Sequence, residues 1–247
     1  FNDFGWLTEH SQHYNEIVIN LADRLVYVDL LDRAERLLNS YVDDMNLSLE
    51  YRAQIGTRLA LISIFNGQYD EAITFLNKID DSKLPPLLQS YRRMTRARAL
   101  NGLQLYDDAI EVLKDDTSKN AYLLKSDIYW KKGDWSKAAD SIRHLIEVPT
   151  EGEKLTAAQA EIIIDWITAI KKAKKDTIVI FAKDKFYDHF KESKYFSVFN
   201  VLTSNLEEDE IDIKNIHSFI NDVDNFSNFA KAYNDALGIN NLIDISE

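Results

Sequence analysis

The chain contains no cysteine, which excludes disulfide bridges, thiolate metal sites and cysteine nucleophiles. Only 3 prolines and 7 glycines occur among its 247 residues. That is too few for the many tight turns of a β-sandwich or barrel, and it points to an all-helical chain. Positive charge is also scarce: 29 Lys and Arg stand against 41 Asp and Glu, a formal net charge of −12. Nucleic-acid binding begins with the neutralisation of phosphates, so that ligand class is excluded, and an anionic membrane surface repels the chain for the same reason. No apolar run reaches the roughly 20 residues that cross a bilayer, so a soluble segment is expected. A Gly-rich phosphate loop, a G-x-S-x-G nucleophile turn and an H-E-x-x-H zinc helix are all missing. No cofactor, no metal and no catalysis are therefore expected of this segment. The chain starts at Phe1 without an initiator Met or a signal-like stretch, which suggests a piece of a longer protein.

What the chain does have is a phrase stated four times: LLDRAERLL from Leu30, QYDEAITFL from Gln68, LYDDAIEVL from Leu105 and DWSKAADSI from Asp134. A bulky residue (Leu31, Tyr69, Tyr106, Trp135) precedes an alanine (Ala34, Ala72, Ala109, Ala138) by three positions. A large apolar residue (Leu38, Leu76, Leu113, Ile142) follows it by four. The alanines are 38, 37 and 29 residues apart, near the 34-residue period of a repeated helical hairpin.

Apolar periodicity fills in the helices. The first hairpin is expected from near Gln12, with a stripe of Ile17, Leu21, Leu25 and Val28 and a return helix carrying Ala34, Leu37, Leu38 and Tyr41. Ser48, three places before Tyr51, marks a new helix start, followed by the stripe Ile55, Leu59, Ile62, Phe65 and a turn at Asn66-Gly67. Pro85-Pro86 ends that unit, and Pro86 suits the first turn of the next helix. That helix carries Leu87, Tyr91, Met94 and Ala97; Gly102 separates it from Ala109, Ile110 and Leu113. The fourth hairpin runs from Tyr122 to Pro149. Ala22, Ala60, Ala97 and Ser126, with the four alanines of the phrase, are placed where helices cross most closely. Anything larger than a methyl group there overpacks by roughly 1–3 kcal/mol.

In the fourth hairpin Tyr122, Ser126, Tyr129, Gly133, Ala138, Ile142 and Leu145, with Pro149 one position early, resemble the tetratricopeptide repeat (TPR). Leu59, Ala60, Gly67, Tyr69, Ala72 and Leu76 repeat the likeness, with departures at Gly56 and Ser63, where a bulky residue and an aromatic are usual. The resemblance covers roughly residues 14–149. It implies a right-handed α-solenoid, with hairpins over 12–149, a C-terminal helical cap over 150–237 and a tail over 238–247. Within the cap, helices are expected at Leu155–Ala173, at Asp176–Phe190 with the stripe Ile180, Phe181, Phe186, Phe190, and at Tyr195–Leu202. An acidic break from Glu207 to Asp212 and one or two helices from Ile216 to Leu237 complete it. Thr177–Phe181 has strand propensity, but its neighbours favour helix. The Leu124–Ile142 and Tyr195–Ser204 segments are also similar to the C-terminal region of large alphaproteobacterial TPR proteins. That likeness implies bacterial origin, in the cytoplasm or periplasm, and no particular activity.

The resemblance further implies a concave groove lined by the first helix of each pair. Arg58 and Leu61, then Tyr91, Met94, Thr95, Arg98 and Asn101, then Leu123, Asp127, Trp130 and Lys131 are expected to face it and to anchor a peptide or partner protein. Arginine beside exposed aromatics is the composition of an interface anchor. The bland alternative for Arg92, Arg93 and Arg96 is pairing with neighbouring carboxylates at ~0–1 kcal/mol each. The TPR mode that grips C-terminal carboxylates uses Lys and Asn where this chain has Ile19, Asp23, Thr57 and Leu61, so that mode is not expected. A spacer or oligomerisation segment, or an accessory domain of a larger enzyme or envelope-associated protein, is the alternative function. His10 and His13 share a helical face at metal-ligand spacing but read as solvated; His144, His189 and His217 read as half-buried helix residues. Lys171, Lys172, Lys174 and Lys175 read as cations closing a helix end. Asp43-Asp44 and Asp115-Asp116 read as solvated turns.

Overall fold

The computed structural model describes residues 14–149 and 154–204. The expectations at Gln12, His10, His13, Glu207–Asp212, Ile216–Leu237 and His217 lie outside the described residues. These form eleven α-helices and no strand: α1 (Tyr14–Tyr27), α2 (Leu31–Asn39), α3 (Leu49–Phe65), α4 (Tyr69–Asn77), α5 (Pro86–Gly102), α6 (Tyr106–Leu113), α7 (Lys119–Lys132), α8 (Trp135–Arg143), α9 (Ala157–Lys172), α10 (Asp176–Phe190) and α11 (Phe196–Leu202). They divide into two compact units, one running to Val112 and one from Leu113. Thr177–Phe181 is helical, as its context requires.

Helix starts follow the side chains. Ser48 accepts from the Tyr51 amide, Ser118 from Ala121 and Asp134 from Lys137, while Thr156 and Gln159 form a reciprocal capping box at α9. Each occupies the position where the first turn of a helix has spare N–H groups. Pro86 stands at the start of α5, as expected.

The turns inside the hairpins share one backbone design that the sequence conceals. Asp29, Gly67, Gln104, Gly133 and Lys174 all have positive φ, between 56° and 79°. At each, the left-handed residue donates to the carbonyl three places back. The next residue (Leu30, Gln68, Leu105, Asp134, Lys175) donates to the carbonyl five places back, at 2.7–3.2 Å. This is the Schellman closure, made five times and only twice on glycine. The fifth example joins α9 to α10, in the segment where the sequence phrase fades. Gly102, read from sequence as the separator, ends α5 in helical conformation. Its role is steric: a Cβ there would lie 2.3 Å from the Tyr69 ring of α4.

In the first unit α3 is the central element, buried at almost every position from Ala53 to Ser63. It packs on α4, α5 and α2, while α4 packs on α5 and α1 on α2. Ala22, Ala34, Ala60, Ala72, Ala97 and Ala109 have no exposed surface, as methyl-sized crossing points demand. The first stripe is shifted from expectation. Val18, Ile19, Ala22 and Val26 face the core, whereas Ile17 and Val28 are exposed, because small Ala22 rather than a bulky neighbour sits at the crossing. Leu87 is likewise exposed at the start of α5.

In the second unit α9 plays the central part, packed on α8, α10 and α11, with α7 on α8. Its core is aromatic and aliphatic: Trp166 meets Phe186 edge-on at 6.3 Å, and Phe190 stacks on Phe199 at 4.4 Å. Ala138 is fully buried. Ser126 is only half-buried, with its hydroxyl on the Leu123 carbonyl, so that crossing is not the close one expected. Ala121 and Ile128 occupy the inside instead.

Candidate functional site

Five of the expected groove residues are interior. Arg58 is 6% exposed and grips Asp23 with two parallel bonds, Nε to Oδ1 and Nη2 to Oδ2, both 2.7 Å. Leu61, Met94 and Asn101 are also buried, and so is Thr95, whose hydroxyl donates to the Tyr91 carbonyl. The groove reading is corrected at these positions. A helix packed on by others on most sides, as α3 is by α2, α4 and α5, has little free face, and Arg58 lies inside because Asp23 across from it supplies a matching carboxylate. Tyr91 and Arg98 are half-buried. In the second unit Leu123 is exposed, Asp127 and Lys131 pair with each other at 2.8 Å one turn apart, and Trp130 leans edge-on against Trp135 at 5.2 Å.

The arginine cluster of α5 is a core device rather than a surface patch. Arg92 has no exposed side-chain surface. Its Nε donates to Asp81 at 2.5 Å, one terminal nitrogen to the Ala53 carbonyl and the Thr57 hydroxyl, and the other to the Leu76 and Ile79 carbonyls. The surface-pair value expected for it therefore does not apply: a guanidinium with all its donors used inside a protein is a high-stakes network. It also explains the departure at Gly56. A Cβ at Gly56 would stand in van der Waals contact with the Arg92 guanidinium at 3.9 Å and the Phe75 carbonyl at 3.4 Å, so atoms of a bulky side chain beyond it would compete with the guanidinium for space. Arg96 reaches the same loop, through Asn77 and more distantly Asp81; its burial lowers its pKa, an effect that Asp81 opposes.

The lysine run at the end of α9 does more than answer its own helix dipole. Lys171 is buried and donates to the Leu202 and Ser204 carbonyls, closing α11. Lys172 lies over the Trp135 ring, Lys174 takes the left-handed turn, and Lys175 donates to the Ser136 hydroxyl at 2.6 Å. Lys125 does for α6 what Lys171 does for α11: it donates to the Asp116 carbonyl at 2.7 Å, and burial lowers its pKa. His144 is exposed rather than half-buried, stacked on Tyr122 at 4.1 Å; His189 is half-buried. Among the described residues no group of three or more His, Asp or Glu is placed to hold a metal. Among the described carboxyls Asp165 on α9 is pushed up to about 7 by burial, and the charge of Glu161 one turn away adds to the effect, whereas hydrogen bonds from Ser82 and Lys119 lower Asp80 and Glu147. Glu161 accepts from the Tyr195 hydroxyl at 2.8 Å.

The second unit also contains a cavity of about 300 Å³ between α8, α9 and α10, a size at which small-molecule and side-chain pockets begin. Its floor is apolar, formed by Ala139 of α8, Trp166 and Ile170 of α9 and Phe186 of α10. Val148, Ile178 and Phe181 line it while remaining exposed, at 44%, 37% and 57%. Arg143, Lys175 and Lys185 stand among the lining residues, with Asp140 the one carboxylate. This site went unread in the sequence, although a signal was there. α10 has more large apolar residues than one stripe needs. Val179, Ala182, Phe186 and Phe190 go inward, so Ile180 and Phe181, expected inside, are left out. Comparison with family models, with curated proteins and with solved structures finds no match.

Proposed function

We propose that this protein is a protein-interaction module of TPR-like hairpins, without catalysis of its own, whose partner segment docks in the cleft between α8, α9 and α10. The hairpin order supports the solenoid part of this reading within each unit: α2 on α3, α3 on α4 and α5 in the first, then α7 on α8, α8 on α9 and α9 on α10 in the second. Within these two runs, α1 to α5 and α7 to α10, each helix packs on the next in sequence, as stacked repeats require. The observation that carries the binding role is a cavity with an aromatic floor whose mouth holds large apolar side chains in water, above all Phe181. Exposed apolar surface around a pocket is the mark of a docking site.

The test is selection of helical peptides from a display library on the intact protein. Enriched peptides should bind at least about tenfold more weakly to a Phe181→Asp variant, the scale of one lost anchor. Selection without enrichment, or peptides indifferent to Phe181→Asp, overturns the reading. The oligomerisation alternative has its own support in Ile180 and Tyr187, exposed elsewhere on α10. It is supported if light scattering shows a stable homodimer that Ile180→Asp dissociates.

A further inference from the structure

We infer that the ligand of the α8–α9–α10 cleft is the acidic flank of an amphipathic helix, one apolar side chain filling the cavity and its carboxylates meeting the cleft's cations. This inference rests on the binding role proposed above and adds the chemistry of the partner. Three observations carry it.

The first is charge. The chain as a whole bears −12, yet the cleft gathers Arg143, Lys175 and Lys185 against Asp140 alone. A local reversal of sign around an apolar floor selects an anionic partner and repels a basic one.

The second is preorganisation. Lys175 is fixed by its bond to Ser136 at 2.6 Å, and Lys185 lies over the Phe181 and Phe186 rings at 5.9 and 5.3 Å. Cations already held lose less freedom when a carboxylate arrives.

The third is shape. Ile178, Phe181 and Lys185 share one ridge of α10 at steps of three and four, about 10 Å of helix at 1.5 Å per residue. An open ridge that long offers a groove to two turns of a partner helix. An enclosed pocket sized for a detached amphiphile would instead bury its whole lining, and here Val148, Ile178 and Phe181 remain in water.

The experiment uses two synthetic helical peptides of about 15 residues, identical in their Leu/Phe face, one flanked by Glu and the other by Lys. Binding to the full chain is followed by fluorescence anisotropy. The Glu peptide should bind at least about tenfold tighter at low salt, and the difference should shrink near 0.5 M salt as screening shortens the charge interaction. Arg143→Glu with Lys185→Glu, both exposed positions, should reverse the preference, and Lys175→Gln should weaken it. Circular dichroism confirms that each variant is folded. Equal binding of the two peptides, or a preference for Lys, overturns the charge inference; if Phe181→Asp still removes binding, the cleft reading stands. Binding that ignores Phe181→Asp overturns both. No binding of either peptide overturns the inference, while the display selection independently decides the reading. A dimer of the free protein that Phe181→Asp dissociates makes a second copy the occupant, which also overturns it.

Discussion

The two units solve one problem, a helix surrounded by other helices, with a different balance of arginine and aromatic contacts. In the first, central α3 is threaded with polar atoms: Thr57, Arg58 and Ser63 are buried along it, Asp23 answers Arg58, and Arg92 enters from α5. In the second, central α9 presents Ile163, Ile164, Trp166, Ile167 and Ile170 to Phe186, Phe190 and Phe199. The difference fixes where a partner finds cations. The first unit holds Arg58 and Arg92 inside and uses them to fix register between helices, while the second leaves Arg143 and Lys185 at a cleft mouth. An arginine in a sequence is therefore no guide to binding until its carboxylate has been located.

The largest expected effect tests the first half of this contrast. Arg92→Leu removes the one side chain that links the Leu76, Ile79 and Ala53 carbonyls to Asp81. Thr57 and Arg96 are left to cover only Ala53, Leu76 and part of Asp81, so stability should fall by about 3–5 kcal/mol, read from the urea midpoint. A change below about 1 kcal/mol would mean that water replaces the guanidinium, and the contrast between the two cores would fail.

The second prediction concerns a carboxyl on the central helix of the second unit. With Asp165 pushed up to about 7 from an ordinary 3.8, the folded chain favours the protonated carboxyl. Its contribution is complete below pH 3.8 and is lost as pH rises to about 7, by at most about 4 kcal/mol. Urea melts between pH 4 and 8 should show stability falling with pH, and Asp165→Asn should flatten that slope. An unchanged slope in the variant assigns the pH dependence elsewhere.

The smallest effect refines the contrast at a helix crossing. In most helices Gly→Ala stabilises, by roughly 0.5–1 kcal/mol. At Gly102 the Tyr69 ring blocks the new methyl, so Gly102→Ala should instead destabilise by about 1–3 kcal/mol. Tyr69→Ala in the same chain should restore the ordinary sign, measured as a double-mutant cycle.

Much of the helix plan was legible in the sequence, because methyl-sized crossings recur at fixed positions and Ala34, Ala72, Ala109 and Ala138 are all fully buried. The central stripe of α3 was legible for the same reason: Ile55, Leu59 and Ile62 are inside. Side-chain facing was less legible wherever bulk was taken as the sign of burial. In α1 and α10 the inward positions include Ala22 and Ala182, and larger residues beside them face water. Gly56 and Arg92 explain each other only across two helices, a relation that no local pattern contains. The cleft joins residues 139–186 from three helices, so periodicity within any single helix could not assemble it.

The five Schellman turns have a consequence for how such a chain tolerates change. Because the closure is made by backbone amides, it forms on Asp29, Gln104 and Lys174 as well as on glycine, but it fixes the number of residues in the turn. Length varies instead between one hairpin and the next, from the brief 114–118 to the longer 40–48 and 78–85. Those joints are where added segments or a new chain terminus can be grafted, whereas a single residue inserted at Gln104 or Lys174 would rotate the following helix by about 100° and turn its inward face to solvent.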